Sequence, residues 1–227
     1  MKALVIDGAT QRLTIAAKND DKIFTAIYDI GMKQSETLIP AIDFALSKVD
    51  VNKSELDYTA LCVGPGSFTG LRLTISALKA IELAFNVPVY GLSTLEIYAY
   101  PFVAANNNIP VLSAIDANKD KFYAAIYNSS AEISLEEGDY ETEFLVKKTE
   151  EFDTLVITGP DSLKLKAEVM ASNKTTRIIS AISNFNTTEA LFAVAEKKLA
   201  ARIQPLQDYD GPVYLRASEA EIKHNQN

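Results

Sequence analysis

Gly64-Pro65-Gly66-Ser67-Phe68-Thr69-Gly70-Leu71-Arg72 stands between two apolar runs, Ala60-Leu61-Cys62-Val63 before it and Leu73 to Phe85 after it. Polar residues recur at Arg72, Ser76 and Lys79, the spacing of one helical face. The stretch therefore reads as a strand, a glycine-rich turn and a helix. Glycine permits positive φ and close backbone approach, and Ser67 or Thr69 can cap the first helical turn. A helix start of this kind aims N–H groups and the positive end of the helix dipole at an anion. The same residues also make, with no ligand at all, a sharp packed strand-to-helix corner. Two catalytic patterns are absent. A nucleotide P-loop needs Lys and Ser or Thr after its last glycine, but Gly70 is followed by Leu71 and Arg72. A serine-hydrolase elbow needs glycines two residues either side of the serine, and Ser67 has Pro65 and Thr69 there.

The 227 residues suffice for one large domain or two small ones, and 48% of them are hydrophobic, enough for a core. No apolar run approaches the roughly 20 residues that span a bilayer. The opening reaches Asp7 after four consecutive apolar residues, short of a signal-peptide core. A single cysteine cannot form an intramolecular disulfide, which makes the cytoplasm the expected compartment. Lys and Arg number 22 against 30 Asp and Glu, for a net charge of −8, and Glu132 to Glu151 is markedly acidic. Tight direct binding to nucleic acid calls for a basic patch, so none is expected of this chain alone. One histidine, His224, and one cysteine, Cys62, fall short of a zinc ligand set. No metal site and no catalytic residue are assigned. Cys62 lies in an apolar strand, where a thiol behaves as a small hydrophobe.

Working outward from the motif, Ala3 to Ile6, Leu13 to Ala17 and Ile23 to Tyr28 read as three strands joined by turns at Asp7-Gly8-Ala9-Thr10 and Asn19-Asp20-Asp21. A helix is predicted from Thr37 to Lys48, with Leu38, Ile39, Ile42, Ala45 and Leu46 at helical spacing and Pro40 in its first turn. Tyr58 to Val63 forms the strand entering the motif, and the next helix runs from Thr69 to Asn86. Val87 to Tyr90 is a further strand, and Ser93 with Glu96 forms a capping-box pattern. Ser113-Ala114-Ile115-Asp116, a turn, then Phe122 to Ile126 repeats Leu4 to Asp7, a turn, then Leu13 to Ala17; the aspartates are 116 − 7 = 109 residues apart. Two copies of a strand-Asp-turn-strand unit predict two similar subdomains. They are placed at 1–100 and 101–227, with the C-terminal segment free to return to the first.

The nine residues from Gly64 to Arg72 match the hallmark string of the TsaB (YeaZ) family. Ser35-Glu36-Thr37-Leu38-Ile39-Pro40, Val87 to Leu95 and Pro212-Val213-Tyr214-Leu215-Arg216 resemble further segments of that family in the same order. The likeness is dense in the first half and thin between Ser129 and Gln204. It implies an α/β, actin-like ATPase fold (ASKHA, ribonuclease H-like) with two subdomains and a degenerate nucleotide cleft. It also implies a non-catalytic subunit of the complex that makes threonylcarbamoyladenosine in tRNA. That subunit stabilises a metal-binding TsaD-type transferase, alongside a TsaE-type P-loop ATPase, and when alone is either a monomer or a homodimer. The rival readings are an ATP-dependent small-molecule kinase of the same superfamily and a peptidase. A kinase requires backbone N–H groups in both hairpin turns, and Asp116-Ala117-Asn118-Lys119-Asp120-Lys121 has no glycine. Gly8, Gln34, Asn118 and Lys121 depart from the family pattern.

The helix after the motif is apolar around most of its circumference, and such a helix packs on a second element as well as on a sheet. The helix pair can bury itself in the core or dock another protein. The resemblance implies docking, on Leu38, Ile39, Ile42, Leu46, Leu71, Ile75 and Leu78. It further implies that Asp7, Thr10, Gly64, Pro65, Gly66, Ser67, Phe68, Thr69, Gly70 and Arg72 line the family motif. Those residues are the candidate contacts for ATP or ADP at the junction with the partner, with no cofactor tightly bound to the chain alone.

Overall fold

A computed structural model describes residues 1–31, 33–105, 108–128, 132–172, 175–180 and 186–215. His224 and Arg216 lie outside them. The chain forms two compact units, one of residues 1–97 and 186–212, the other of residues 98–185 and 213–227.

In the first unit, β1 (Lys2–Asp7), β2 (Arg12–Asn19) and β3 (Lys22–Asp29) form a meander, followed by α1 (Gln34–Lys48). Then come β4 (Tyr58–Gly64), α2 (Phe68–Phe85) and β5 (Val89–Ser93). The sheet order is β3-β2-β1-β4-β5. β1 runs antiparallel to β2 and parallel to β4, which is parallel to β5. The central strands β1 and β4 are apolar almost throughout because both of their faces are covered. Leu4, Ile6, Leu13, Ile15, Leu61 and Val63 share one core with Leu38, Ile42, Leu46, Ile75 and Leu78 of α1 and α2. On the other face Tyr58 donates a hydrogen bond to Glu196, and Lys18 pairs with the same carboxylate at 2.6 Å. Both contacts tie the sheet to α6 (Thr188–Ala200). Burial of α6 here explains why 186–212 joins the first unit instead of the contiguous half 101–227.

α3 (Thr94–Ala104) leads into the second unit. There follow β6 (Val111–Asn118), β7 (Lys121–Tyr127), β8 (Ile133–Glu141), α4 (Thr142–Thr149), β9 (Thr154–Thr158), α5 (Ser162–Ser172) and β10 (Arg177–Ser180). The order β10-β9-β6-β7-β8 repeats that of the first sheet, with β6 antiparallel to β7 and parallel to β9. Asp7 and Asp116 occupy matching strands. The fold is thus α/β with two similarly built subdomains, as the repeated hairpin predicts.

Two local readings change. α1 begins at Gln34, so Pro40 is the seventh helical residue and not part of the first turn. Its missing N–H removes one helical bond, and the ring sits on the exposed side of the helix. β5 starts at Val89, because α2 ends on Asn86 in the left-handed conformation (φ 58°) and Val87-Pro88 carry the chain round.

Candidate functional site at the carboxyl ends of the first sheet

In α/β sheets, ligand and partner chemistry gathers outside the carboxyl ends of the parallel strands. Here Asp7 ends β1, Gly64 ends β4 and Ser93 ends β5. Gly64 takes φ 128°, which a side chain would resist, and turns the chain from β4 into the loop. Ser67 caps α2 by accepting a hydrogen bond from the Gly70 N–H at 3.3 Å. The loop lies directly on the turn between β1 and β2, and the Ser67 N–H donates to the Ala9 carbonyl at 2.6 Å. A Cβ on Gly66 would stand 2.3 Å from the Ala9 oxygen, and one on Gly70 would stand 2.1 Å from the Gly8 oxygen. Bare backbone at both positions is therefore a packing requirement.

Asp7 is 2% exposed, and one of its carboxylate oxygens accepts the Ala9 N–H at 3.1 Å. Cys62 on the neighbouring strand is fully buried. Burial pushes its thiol well up, and the charge and hydrogen bond of Asp7 push the same way. Thr94, at the start of α3, opposes them. Asp7 is thus engaged from within the fold. Gln34 completes the arrangement: its side-chain amide donates to the Thr10 carbonyl at 2.7 Å.

Asp7, Thr10 and the motif from Gly64 to Arg72 are therefore gathered in one place. Pro65 is buried and follows Gly64 through a cis peptide bond, whereas Phe68, Thr69 and Arg72 are exposed. The Arg72 guanidinium stacks over the Phe68 ring at 4.0 Å.

The docking face requires correction. Leu38, Ile42, Leu46, Leu71, Ile75 and Leu78 are all buried, so these six side chains cannot meet another protein. Leu38, Ile42, Leu46, Ile75 and Leu78 point into the core they share with the sheet, because α1 and α2 cover the same face of it. Of the seven expected residues Ile39 alone is exposed, at 52%. The apolar surface left on this helix pair instead includes Phe44, Phe68, Leu83 and Phe85.

The second unit repeats the local sequence more closely than the hairpin alone suggests. Gly159-Pro160-Asp161-Ser162 leads from β9 to α5 as Gly64-Pro65-Gly66-Ser67 leads towards α2, and Gly159 has φ 105°. A carboxylate stands where the first copy has Gly66. Asp161 accepts the Asp116 N–H at 2.8 Å, and Lys164 pairs with Asp116 at 2.6 Å. The turn itself closes in two residues, with Asn118, Lys119 and Asp120 at φ 59°, 55° and 56°. The parallel between Gly66 and Asp161 was available in the sequence, but the roles of Asp161 and Lys164 were not. Among the described residues, no three His, Cys, Asp or Glu side chains gather in a way that could hold a metal ion. No helix there is long and apolar enough to cross a membrane.

Residues 31–224 match the family described as "TsaD: tRNA N6-adenosine threonylcarbamoyltransferase". The chain belongs to this family. Curated relatives that bear the name "tRNA threonylcarbamoyladenosine biosynthesis protein TsaB" include one from Escherichia coli and one from Bacillus subtilis. The one from Escherichia coli is 30% identical over 56% of this chain and 55% of its own length. The one from Bacillus subtilis is 25% identical over 98% of this chain and 97% of its own. The matched segment thus spans little more than half of the former. A solved structure from Pseudomonas aeruginosa, described as an uncharacterized protein with similarity to peptidase YEAZ, superposes with a TM-score of 0.77. It is 22% identical and covers 95% of this chain and 99% of that one, a likeness that speaks for the fold. These findings agree with the TsaB (YeaZ) resemblance carried by Gly64 to Arg72.

Proposed function

We propose that this chain is a non-catalytic subunit of the machinery that makes threonylcarbamoyladenosine in tRNA, and that it binds and stabilises a metal-dependent TsaD-type transferase. The family match and the names of the TsaB relatives support the pathway. The absence of turnover is supported by one observation above all: the aspartates of both repeats are engaged from within the chain. Asp7 is buried and holds its own turn, and Asp116 is neutralised by Lys164. A phosphoryl-transfer site needs such a carboxylate free for a metal-bound phosphate. The acidic chain would leave the tRNA to its partner, since −8 net charge opposes phosphate contact.

The docking face of this reading is the exposed side of α1 and α2, centred on Ile39 and on the Phe68–Arg72 stack. Aromatic and Arg side chains of this kind are the usual anchors of interfaces. ATP or ADP would be held at the junction through the loop Gly64–Gly70, with a TsaE-type ATPase as third subunit. The same face would serve a homodimer when the partner is absent.

The deciding experiment is co-purification with the metal-binding subunit, followed by a tRNA modification assay with each subunit omitted in turn. Modification is expected only when both are present, and no ATP turnover from this chain alone. Unaided modification or ATP hydrolysis by the purified chain would end the proposal.

A further inference from the structure

Two consecutive carbonyls of the β1–β2 turn are held by the starts of two different helices. Ala9 O accepts from the Ser67 N–H at the head of α2 (2.6 Å), and Thr10 O accepts from Gln34 Nε2 at the head of α1 (2.7 Å). We infer that Gln34 is a positioning residue that holds this turn and the glycine loop in register with α1, so that a subunit seated on α1 and α2 also sets the turn's geometry. The transmission to a seated subunit rests on the docking reading above; the hold on the turn does not.

Gln34 is the first residue of α1, where a glutamine ordinarily stays in water. Instead it is only 6% exposed. It is not there to cap its own helix, because the N-cap residue Lys33 has no side-chain capping bond and the Gln34 amide turns away to Thr10. Gly70 leaves it room: a Cβ there would lie 2.9 Å from Gln34 Oε1, whereas one on Gly8 would make only ordinary contact with it at 3.5 Å. Its Oε1 has no hydrogen-bond partner among the described residues. Burial therefore brings that oxygen no return, and the bond donated to Thr10 is what the side chain supplies.

The geometry makes a lever. α1 packs on the sheet through Leu38, Ile42 and Leu46, and Gln34 lies one helical turn before Leu38 on the same helix. A displacement of α1 reaches Thr10 through one hydrogen bond. A displacement of α2 reaches Ala9 through another. Asp7, which accepts the Ala9 N–H, lies one step further on. The turn is thereby tied to both helices that carry the docking face.

Residue-resolved amide hydrogen exchange on the full chain tests this, with Gln34→Leu, Gln34→Asn and Gln34→His compared with the unchanged protein. Leu keeps the volume and removes the donor; Asn keeps the amide but is one methylene too short; His keeps a ring N–H. Exchange at residues 9 to 12 is expected to rise about tenfold in the Leu and Asn variants, the scale of one lost hydrogen bond. Exchange at Leu191 and Val194 of α6 should stay unchanged, and His should restore most of the protection. With the metal-binding partner added, the turn of the unchanged chain should be protected further. Gln34→Leu should dock with an affinity within threefold and show no such added protection. Exchange at residues 9 to 12 within twofold of the unchanged chain in both Leu and Asn variants overturns the inference, as does equal partner-induced protection in Gln34→Leu. If the unchanged chain fails to dock, the docking reading falls and transmission with it, while exchange in the isolated variants still decides whether Gln34 holds the turn.

Discussion

Ile39 and Ile42 are three residues apart on α1 and face opposite surroundings: Ile39 is 52% exposed and Ile42 is 1% exposed. The pair separates the proposed docking role from folding. Ile42→Asp places an unpaired charge in the core shared with Leu38 and Leu78, and should cost more than about 3 kcal/mol. Ile39→Asp should leave stability within about 0.5 kcal/mol, as surface substitutions do, yet weaken association with the partner by about 2 kcal/mol. Urea unfolding and a binding titration read the two effects separately. Equal losses of stability would place both residues in the core.

Glycine in the motif is set by packing, not by turn conformation alone. A methyl at Gly70 would meet the Gly8 carbonyl oxygen at 2.1 Å, and that neighbour is backbone, which yields little. Gly70→Ala should therefore destabilise the chain by about 1–3 kcal/mol. A Cβ on Gly211 meets nothing within 4 Å, so Gly211→Ala is the matched control, expected within about 0.5 kcal/mol of the unchanged protein. Thermal unfolding of both variants checks the contrast.

The first unit was legible because its signals are local: apolar strands, a glycine loop and helical spacing from Leu38 to Leu46. The duplication was legible from the two strand-Asp-turn-strand units that carry Asp7 and Asp116. Three things were not. Helical spacing shows that Leu38, Ile42 and Ile75 share faces with other apolar residues, but not whether sheet or solvent lies opposite. The family likeness tipped that choice outward, and the sheet claimed the residues. Gln34 carries no apolar or glycine signal, so nothing in the sequence marks it as buried. Its burial goes with the bond to Thr10 and the room left at Gly70, both brought near only by the fold. The sequence left the C-terminal segment free to return to the first unit, but that 186–212 does so depends on pairings such as Lys18 with Glu196, 178 residues apart, which no local pattern encodes.

The ion pair between Asp116 and Lys164 makes the second unit sensitive to acid. Burial pushes the Asp116 carboxyl up, but the hydrogen bonds from Lys164 and the Asn118 N–H outweigh it and leave the group below its ordinary value. A depressed carboxylate contributes stability above the ordinary Asp range and loses it as pH falls through the lowered value. Lys164, held above its ordinary value chiefly by its hydrogen bond to Asp116, stays charged throughout that range. Lys164→Met should therefore lower stability at pH 6 and by less at a pH below the lowered Asp116 value, with added salt narrowing the difference because Lys164 is half exposed. An equal effect at both pH values would show that Lys164 contributes through packing on Phe122 instead, whose ring lies 5.5 Å from its ammonium.

Cys62 offers a direct probe of the carboxyl end of β4. It is the single cysteine, it is 0% exposed, and burial beside Asp7 disfavours its thiolate. Thiol reagents attack the thiolate, so both access and ionisation protect it. At pH 8 the folded chain should resist a disulfide-exchange reagent for hours, while the chain in denaturant should react with one equivalent within seconds. The labelling rate under native conditions then reports how often the first sheet opens. Because Gly70→Ala strains the loop that leaves β4, it should speed labelling, whereas Lys164→Met in the other unit should not. Prompt labelling of the unchanged chain would mean that β4 opens locally at its carboxyl end, and the turn at Asp7, held in part by that strand, could not then be a fixed element of the site.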